Sequence, residues 1–287
     1  MEFIAKPFGV LMQFIYNTLA FENYGLAILI FTVIIKVLLM PLQIKQQRSM
    51  AKTQEIQPEL AELQKTYAND REKLMEEQQK LYAKYNISMT AGCLPLLIQF
   101  PLILALYEII RRPLTYISGL TADTVTKLGE VLNISTVNEL GINNTLLKDS
   151  ALFEKVDGLI GSHQLINMNF LGIFDLGETP AFNPSKIMAD KSLYLPLLLI
   201  PILSCVSAIF LQKFSMANAN SKKKDDEKAQ GPNIASGMMK VMPIMSLVIA
   251  FTVPAGLGLY WTINNILSML QTILINKIFA KQKEGRI

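Results

Sequence analysis

Two cysteines, one histidine and one tryptophan stand in a chain of 287 residues. Two thiols are too few for a disulfide scaffold, and a single histidine excludes a His-rich metal site. Charge is scarce as well: Asp, Glu, Lys and Arg make up 17% of the residues, against about 25% in a soluble domain. The chain has no Ser/His/Asp set, no paired carboxylates inside an apolar run and no glycine-rich phosphate loop. Those absences point away from an enzyme, and no cofactor or metal is expected. The formal net charge of +4 is too small to suggest a nucleic-acid binder, so no DNA partner is expected.

Apolar residues, 51% of the chain, are bunched. Tyr24–Leu42, Cys93–Ile110, Leu193–Leu211, Met238–Val253 and Leu257–Ile275 are almost free of charge. A helix needs roughly 20 residues to cross hydrocarbon, within a range of about 17–25. Four of these runs are long enough; the Met238 run is short and calls for local thinning of the bilayer. Five buried core helices in a soluble protein of this length would leave too little polar surface to enclose them. Pro41, Pro95, Pro101, Pro196, Pro201 and Pro243 lie inside the runs, where membrane spans tolerate proline because neighbouring helices satisfy the freed backbone groups. The expected fold is therefore all-α and polytopic, with five transmembrane helices. They are placed at 22–42, 92–110, 193–212, 237–253 and 254–276, the last opening with the tight, uncharged turn Pro254-Ala255-Gly256.

Charge then orients the chain. Alternation puts the 43–91 segment, the 213–236 loop with Lys240, and the 277–287 tail on one side. That side carries 18 Lys and Arg and 11 Asp and Glu, a net +7; the opposite side carries 8 and 11, a net −3. Positive residues collect on the cytoplasmic side, which sets the N-terminus outside and the C-terminus inside a plasma membrane. The long 111–192 segment weighs little here, since long loops cross regardless of charge.

Outside the spans, Phe3, Ile4, Phe8, Leu11, Met12, Ile15 and Leu19 recur at helical spacing, so residues 1–21 read as an amphipathic helix in the outer interface. In 43–91, Ile56, Leu60, Leu63 and Tyr67 form one stripe, and Leu74, Leu81 and Tyr85 form another. Asp70 is placed to cap the second arm, and Pro58 kinks or restarts the first. The two arms make a cytoplasmic helical hairpin. Scattered apolar residues between Leu128 and Phe153 suit either a long external loop or a small packed subdomain. Ser221–Lys228 reads as a flexible linker, and His163 as a surface residue.

The informative residues are the polar ones inside apolar runs. Lys36 is the one basic residue set deep in such a run, with six residues between it and Gln43, about 10 Å at 1.5 Å per residue. A lysine stem covers part of that depth by snorkelling, which leaves a water-filled cavity as the better account, because a buried charge is expensive. In the last span Trp261, Asn264, Asn265, Ser268 and Gln271 or Thr272 share one helix face. Gln99 and Thr32 add polar groups from the second and first spans. Ordinary hydrogen bonding between helices explains the hydroxyls, but fits a lysine, two asparagines and two glutamines less well. Glu108 lies three and four residues before Arg111 and Arg112, so a local ion pair accounts for it.

Taken in order, these residues resemble a known family. Tyr24-Gly25-Leu26-Ala27-Ile28, Met40-Pro41-Leu42, Ile56-Gln57-Pro58-Glu59, Asn69-Asp70 and Lys80-Leu81-Tyr82 match its first span and hairpin. Gly92-Cys93-Leu94-Pro95 through Gln99-Phe100-Pro101, Phe174-Asp175-Leu176-Gly177, Met242-Pro243-Ile244-Met245 and Pro254-Ala255-Gly256 through Tyr260-Trp261 continue the match. The chain is similar to the YidC/Oxa/Alb membrane protein insertases in their bacterial five-span form, over perhaps 70% of its length, with Thr115–Asn169 the main part outside. The resemblance implies an insertase and chaperone that moves short polar tails through a hydrophilic groove and releases helices into lipid along the third and fifth spans, without nucleotide hydrolysis. Lys36 stands at the family's charged groove position, and Gln99, Trp261, Asn264 and Ser268 match its groove-lining regions less exactly; with Thr32, Asn265 and Gln271 from the polar faces above, they make up the candidate substrate groove. The resemblance places Pro58, Leu60, Tyr67, Leu81 and Tyr82 in a hairpin that receives substrates. Lys36 stands where the family usually has arginine. The implied partners are newly made membrane proteins and the lipid bilayer, with the Sec translocon and the ribosome as further candidates, and the implied state is a monomer. The alternative from another class is a small transporter or channel using the same polar face; the chain shows no clear internal repeat of the kind transporters carry.

Overall fold

The computed structural model describes residues 2–87, 94–136, 138–220 and 243–284. The start of the expected second span (92–93), the end of the hairpin segment (88–91), most of the 213–236 loop with 237–242, and the last three residues of the tail lie outside the described residues.

Helix α1, Glu2–Phe14, runs into a π-turn at Ile15–Leu19. Its buried side is Ala5, Met12, Ile15 and Tyr16, while Phe3, Val10 and Phe14 are exposed. The expected apolar face is thus divided between protein contacts and an outward stripe. Asn23 caps α2, Tyr24–Leu38, by accepting a hydrogen bond from the Leu26 amide at 2.9 Å. Every third or fourth residue of α2 is buried: Tyr24, Ala27, Ile28, Phe31 and Ile35, the period that seats one helix face against a core.

Helix α2 stops at Leu39. The next helix, α3 (Met40–Glu55), leaves at 63° to it. Pro41 has no N–H to extend α2 and fits the first turn of a new helix. The expected boundary of the first span at 42 therefore falls inside α3, just after the bend. Helices α4, Gln57–Thr66, and α5, Arg71–Lys84, follow and pack together. Pro58 sits in the first turn of α4 and restarts the chain after Ile56. Asp70 accepts the Lys73 amide at 3.0 Å, capping α5. The small core between them is Ile56, Leu60, Leu81 and Ile87, flanked by Leu63 and Tyr82.

Helix α6, Leu94–Arg111, and the single turn α7, Pro113–Tyr116, pack on α1. The following segment is a folded unit: α8 (Ala122–Leu132), α9 (Glu139–Lys148) and α10 (Ser150–Lys155). They enclose Val125, Leu128, Ile142, Leu146, Val156 and Ile160, together with Leu114 of α7. Glu139 ties this unit to α6 and α7. It is 0% exposed and accepts from Arg112 Nε at 3.1 Å, the Thr115 amide at 2.9 Å and Thr115 Oγ1 at 2.6 Å. Arg112 also pairs with Glu108 at 3.4 Å, whereas the Arg111 guanidinium stacks on the Tyr107 ring.

A two-strand hairpin, β1 (Asn169–Phe170) with β2 (Phe174–Asp175), straps the same end of the bundle. The Phe170 ring lies where a Cβ on Gly25 would be, 2.2 Å from that point. Beyond α11 (Pro184–Ala189), α12 (Lys191–Leu197) and α13 (Leu199–Asn220) continue one another almost unbroken. Residues 243–250 form α14, and α15 is Ala255–Glu284. The first amides of α15, orphaned as in any helix start, reach the strap: Ala255 N donates to Glu178 O and Gly256 N to Leu176 O, both at 2.8 Å. Helix α15 packs on α13 and on α2. The main core joins α1, α2, α6, α12, the strap and the start of α15. Among the described residues, the run Lys191–Ser215 is by itself long and apolar enough to cross a bilayer, and the bent pair α2–α3 passes as a second.

Candidate functional site

Lys36 comes off the last turn of α2, immediately before the bend, and is half-buried. Its Nζ donates to Ser268 Oγ of α15 at 2.7 Å. Ser268 in turn donates to the Asn264 carbonyl at 2.7 Å. An ammonium has three donors and a hydroxyl accepts readily, so this contact satisfies Lys36 in part without neutralising it. The surrounding recess is lined by Thr32, Ile35, Lys36, Leu39, Gln43, Gln99, Leu102, Tyr260 and Asn264, with no acidic residue among the described residues that line it. The recess is tight, with room for about one ordered water.

Four helices, α2, α3, α6 and α15, supply the walls. Gln99 of α6 donates to Tyr260 OH at 2.5 Å. Tyr260 and Asn264 lie four residues apart on α15, with Ser268 four further on, so one helix face is presented. Thr32 lines the recess but gives its hydroxyl proton to the Ile28 carbonyl at 2.6 Å. Of the residues the sequence singled out, the structure brings Lys36, Thr32, Gln99, Asn264 and Ser268 together. Asn265 faces elsewhere: its Nδ2 donates to Ser207 Oγ of α13 at 3.0 Å, a helix-to-helix bond away from the recess. Trp261 is half-buried against the main core and does not line the recess. Gln271 is 8% exposed and its Nε2 has no partner among the described residues.

Sequence reasoning missed Tyr260 and treated Gln43 as the first residue beyond the membrane. Gln43 lines the recess instead, because the bend at Leu39 turns α3 across its mouth. Beside it Gln46 is 8% exposed, and both Gln43 Oε1 and Gln46 Nε2 are buried without partners. Gln47 donates to Asn276 Oδ1 at 3.2 Å, tying α3 to α15. The Gln43, Gln46, Gln47 spacing was the available signal, since it continues the polar face of Lys36 at helical intervals.

In the hairpin, Leu60 and Leu81 are core residues at 7% exposure each, with Tyr82 packed beside them. Tyr67 is half-buried and faces Lys73, whose Nζ lies 5.9 Å from its ring centroid. Tyr85 donates a hydrogen bond to Glu59, and this holds the Glu59 carboxyl below the usual carboxylate range, helped by Lys84 Nζ at 3.5 Å. The group is exposed, so the bond orients the two arms more than it stabilises them.

The class defined by this build is a predominantly α-helical protein with a cationic, amide-lined recess between its helices. The chain matches the model of the family described as 60Kd inner membrane protein over residues 14–283. Relatives include the membrane protein insertase YidC of Oceanobacillus iheyensis, 31% identical over 91% of this chain and 78% of that one. The YidC of Clostridium tetani is 30% identical over 99% of this chain and 96% of that one. The membrane protein insertase MisCA of Bacillus subtilis is 27% identical over 96% and 78%. The chain belongs to this 60Kd inner membrane protein family of membrane protein insertases.

Proposed function

We propose that this membrane protein insertase receives the short polar tail of a newly made membrane protein in the recess beside Lys36 and hands the attached apolar helix to lipid. The observation that carries the reading is the Lys36–Ser268 contact in a recess without acidic residues. A carboxylate on an incoming tail meets an ammonium that no anion has neutralised. Polar chain cannot enter hydrocarbon cheaply; a wet, cationic recess shortens the distance it must cross. Burial of the substrate's own apolar helix in lipid then drives the step, and no nucleotide is consumed. The recess is small, so α2, α6 and α15 separate as a tail enters.

The topology that suits this role has five spans, 22–42, 92–110, 193–212, 237–253 and 254–276. The N-terminal helix and the α8–α10 unit lie outside, and the α4–α5 hairpin, the 213–236 loop and the 277–287 tail lie in the cytoplasm. Gln99, Asn264 and Ser268 hold the recess polar, Thr32 lines its wall, and Trp261 and Asn265 fix α15 against its neighbours. The hairpin, through Pro58, Leu60, Tyr67, Leu81 and Tyr82, meets substrates first. The chain acts as a monomer without cofactor, and the Sec translocon and the ribosome are its proposed working partners.

The test is complementation. In cells depleted of their own insertase, the wild-type chain is expected to restore insertion of a single-span substrate with an acidic outer tail. Failure in a compatible host overturns the mechanism proposed for the recess. Solute flux through purified chain in liposomes would instead favour a transporter.

A further inference from the structure

Two bulky apolar residues, Phe21 and Leu171, have left-handed backbone, with φ of 50° and 57°. They are 85% and 69% exposed. Left-handed positions ordinarily go to glycine, asparagine or aspartate, because Cβ sterics penalise other side chains. Leu171 and Gly172, whose φ is 73°, are the central pair of the turn closing the β1–β2 hairpin; the Ile173 amide donates to Phe170 O at 3.3 Å. Turns with positive φ at both central residues are the domain of Asn-Gly and Asp-Gly. A leucine there gains nothing from the backbone and, being exposed, nothing from packing. Ile173 beside it is 53% exposed. In water the choice is unfavourable on both counts. In hydrocarbon the second reverses, and asparagine becomes the costly residue.

The position of these residues matches a lipid surface. Phe170 is seated on Gly25, in the first turn of α2, and Phe21 lies just before that helix. Down the same helix Leu29, Val33 and Val37, spaced four apart, form an exposed apolar stripe. Exposed apolar side chains therefore run along α2 below the strap end, and at that end Glu22 beside Phe21 is the exposed charge. We propose that Phe21 and the hairpin tip Leu171–Ile173 are membrane anchors whose side chains enter the acyl region of the leaflet at the strap end of the bundle. Their ligand is lipid hydrocarbon. The inference requires that α2 spans the bilayer, and is otherwise independent of the recess.

Nitroxide labels on single cysteines test it, in full-length chain carrying Cys93→Ser and Cys205→Ser and reconstituted in phospholipid vesicles. Leu171→Cys reports the tip, Val33→Cys the lipid-facing stripe and Lys127→Cys the solvent-facing α8. The expected result is that the tip collides with oxygen more than with a water-soluble nickel chelate, as Val33 does and Lys127 does not. A nickel-accessible tip beside an oxygen-accessible Val33 overturns the anchor while leaving the span intact. A tip shielded from both reagents also overturns it, because protein then covers the site. A nickel-accessible Val33 would instead remove the spanning premise. Should the cysteine-free chain fail to fold, Leu171→Trp in the natural chain gives the same decision: bromine on shallow acyl carbons is expected to quench it beyond the Trp261 baseline, and absence of extra quenching overturns the proposal.

Discussion

The Lys36 ammonium and the Ser268 hydroxyl, 232 residues apart in sequence, meet at 2.7 Å where α2 is about to bend. The contact is polar but leaves the charge unpaired, so removing it separates two roles of Lys36. Lys36→Ala deletes both charge and hydrogen bond, whereas Lys36→Arg keeps the charge on a longer, planar group. A unit charge pair near 4 Å is worth about 4 kcal/mol at an effective dielectric of about 20, and less as water enters. Lys36→Ala is therefore expected to slow insertion of a substrate with an acidic tail about tenfold and to leave a tail without acidic residues nearly unaffected. Lys36→Arg should retain most activity. Pulse-chase protease protection of the two substrates checks this, and equal slowing of both would remove attraction as the cause.

Gln271 offers a test of polarity without charge. Its side chain is 8% exposed and its Nε2 lacks a partner. An orphaned buried donor costs about 1–3 kcal/mol. Gln271→Leu should then raise stability by about 1 kcal/mol, read as a higher midpoint in thermal unfolding of detergent-solubilised protein, while insertion slows, because Gln271 stands one turn beyond Ser268, the α15 residue that meets Lys36. Stability traded for activity is common at functional sites. A destabilised Gln271→Leu would mean that the amide is needed by the fold itself.

Helical periodicity carried much of the site: Asn264 and Ser268 share a face, and both reach the Lys36 side. It failed for Asn265 because one residue on a helix turns about 100°, enough to aim that amide at Ser207 on α13. It failed for Gln43 because a hydropathy pattern locates the end of an apolar run, while the bend at Leu39 is a backbone event fixed by Pro41 and by what α3 packs on. Asp70 and Pro58 acted as read, since caps and first-turn prolines are local signals. The packing of α8–α10 rests on contacts between residues far apart, such as Arg112 with Glu139, and no local pattern announces those.

Gly25 and Phe170 make a second long-range pair. A Cβ at Gly25 would lie 2.2 Å from the Phe170 ring, so the ring or the strap must move. Overpacking of this kind costs about 1–3 kcal/mol. Gly25→Ala is expected to lower the unfolding midpoint. Phe170→Ala alone should also lower it, by opening a cavity. The double variant should be less impaired than the two effects added, because alanine at 170 removes what the new methyl strikes. Strict additivity in that cycle would show that the strap does not bear on α2 through this pair.

Glu139 decides whether the α8–α10 unit is rigidly joined to α6 and α7. The carboxylate is fully buried and accepts from Arg112 Nε, the Thr115 amide and Thr115 Oγ1. Truncating one member of a buried ion pair costs about 3–5 kcal/mol, since it strands the partner charge and its hydrogen-bond donors. Glu139→Ala should accordingly loosen residues 122–160, seen as faster hydrogen exchange and earlier proteolytic cleavage there. Glu139→Gln keeps the shape and at least one acceptor and should fall between alanine and wild type. The recess lies at Lys36, before the bend at the other end of α2, so insertion of a short-tailed substrate is expected to persist in both variants. Loss of insertion in parallel with the loosening would instead tie the α8–α10 unit to the working of the recess.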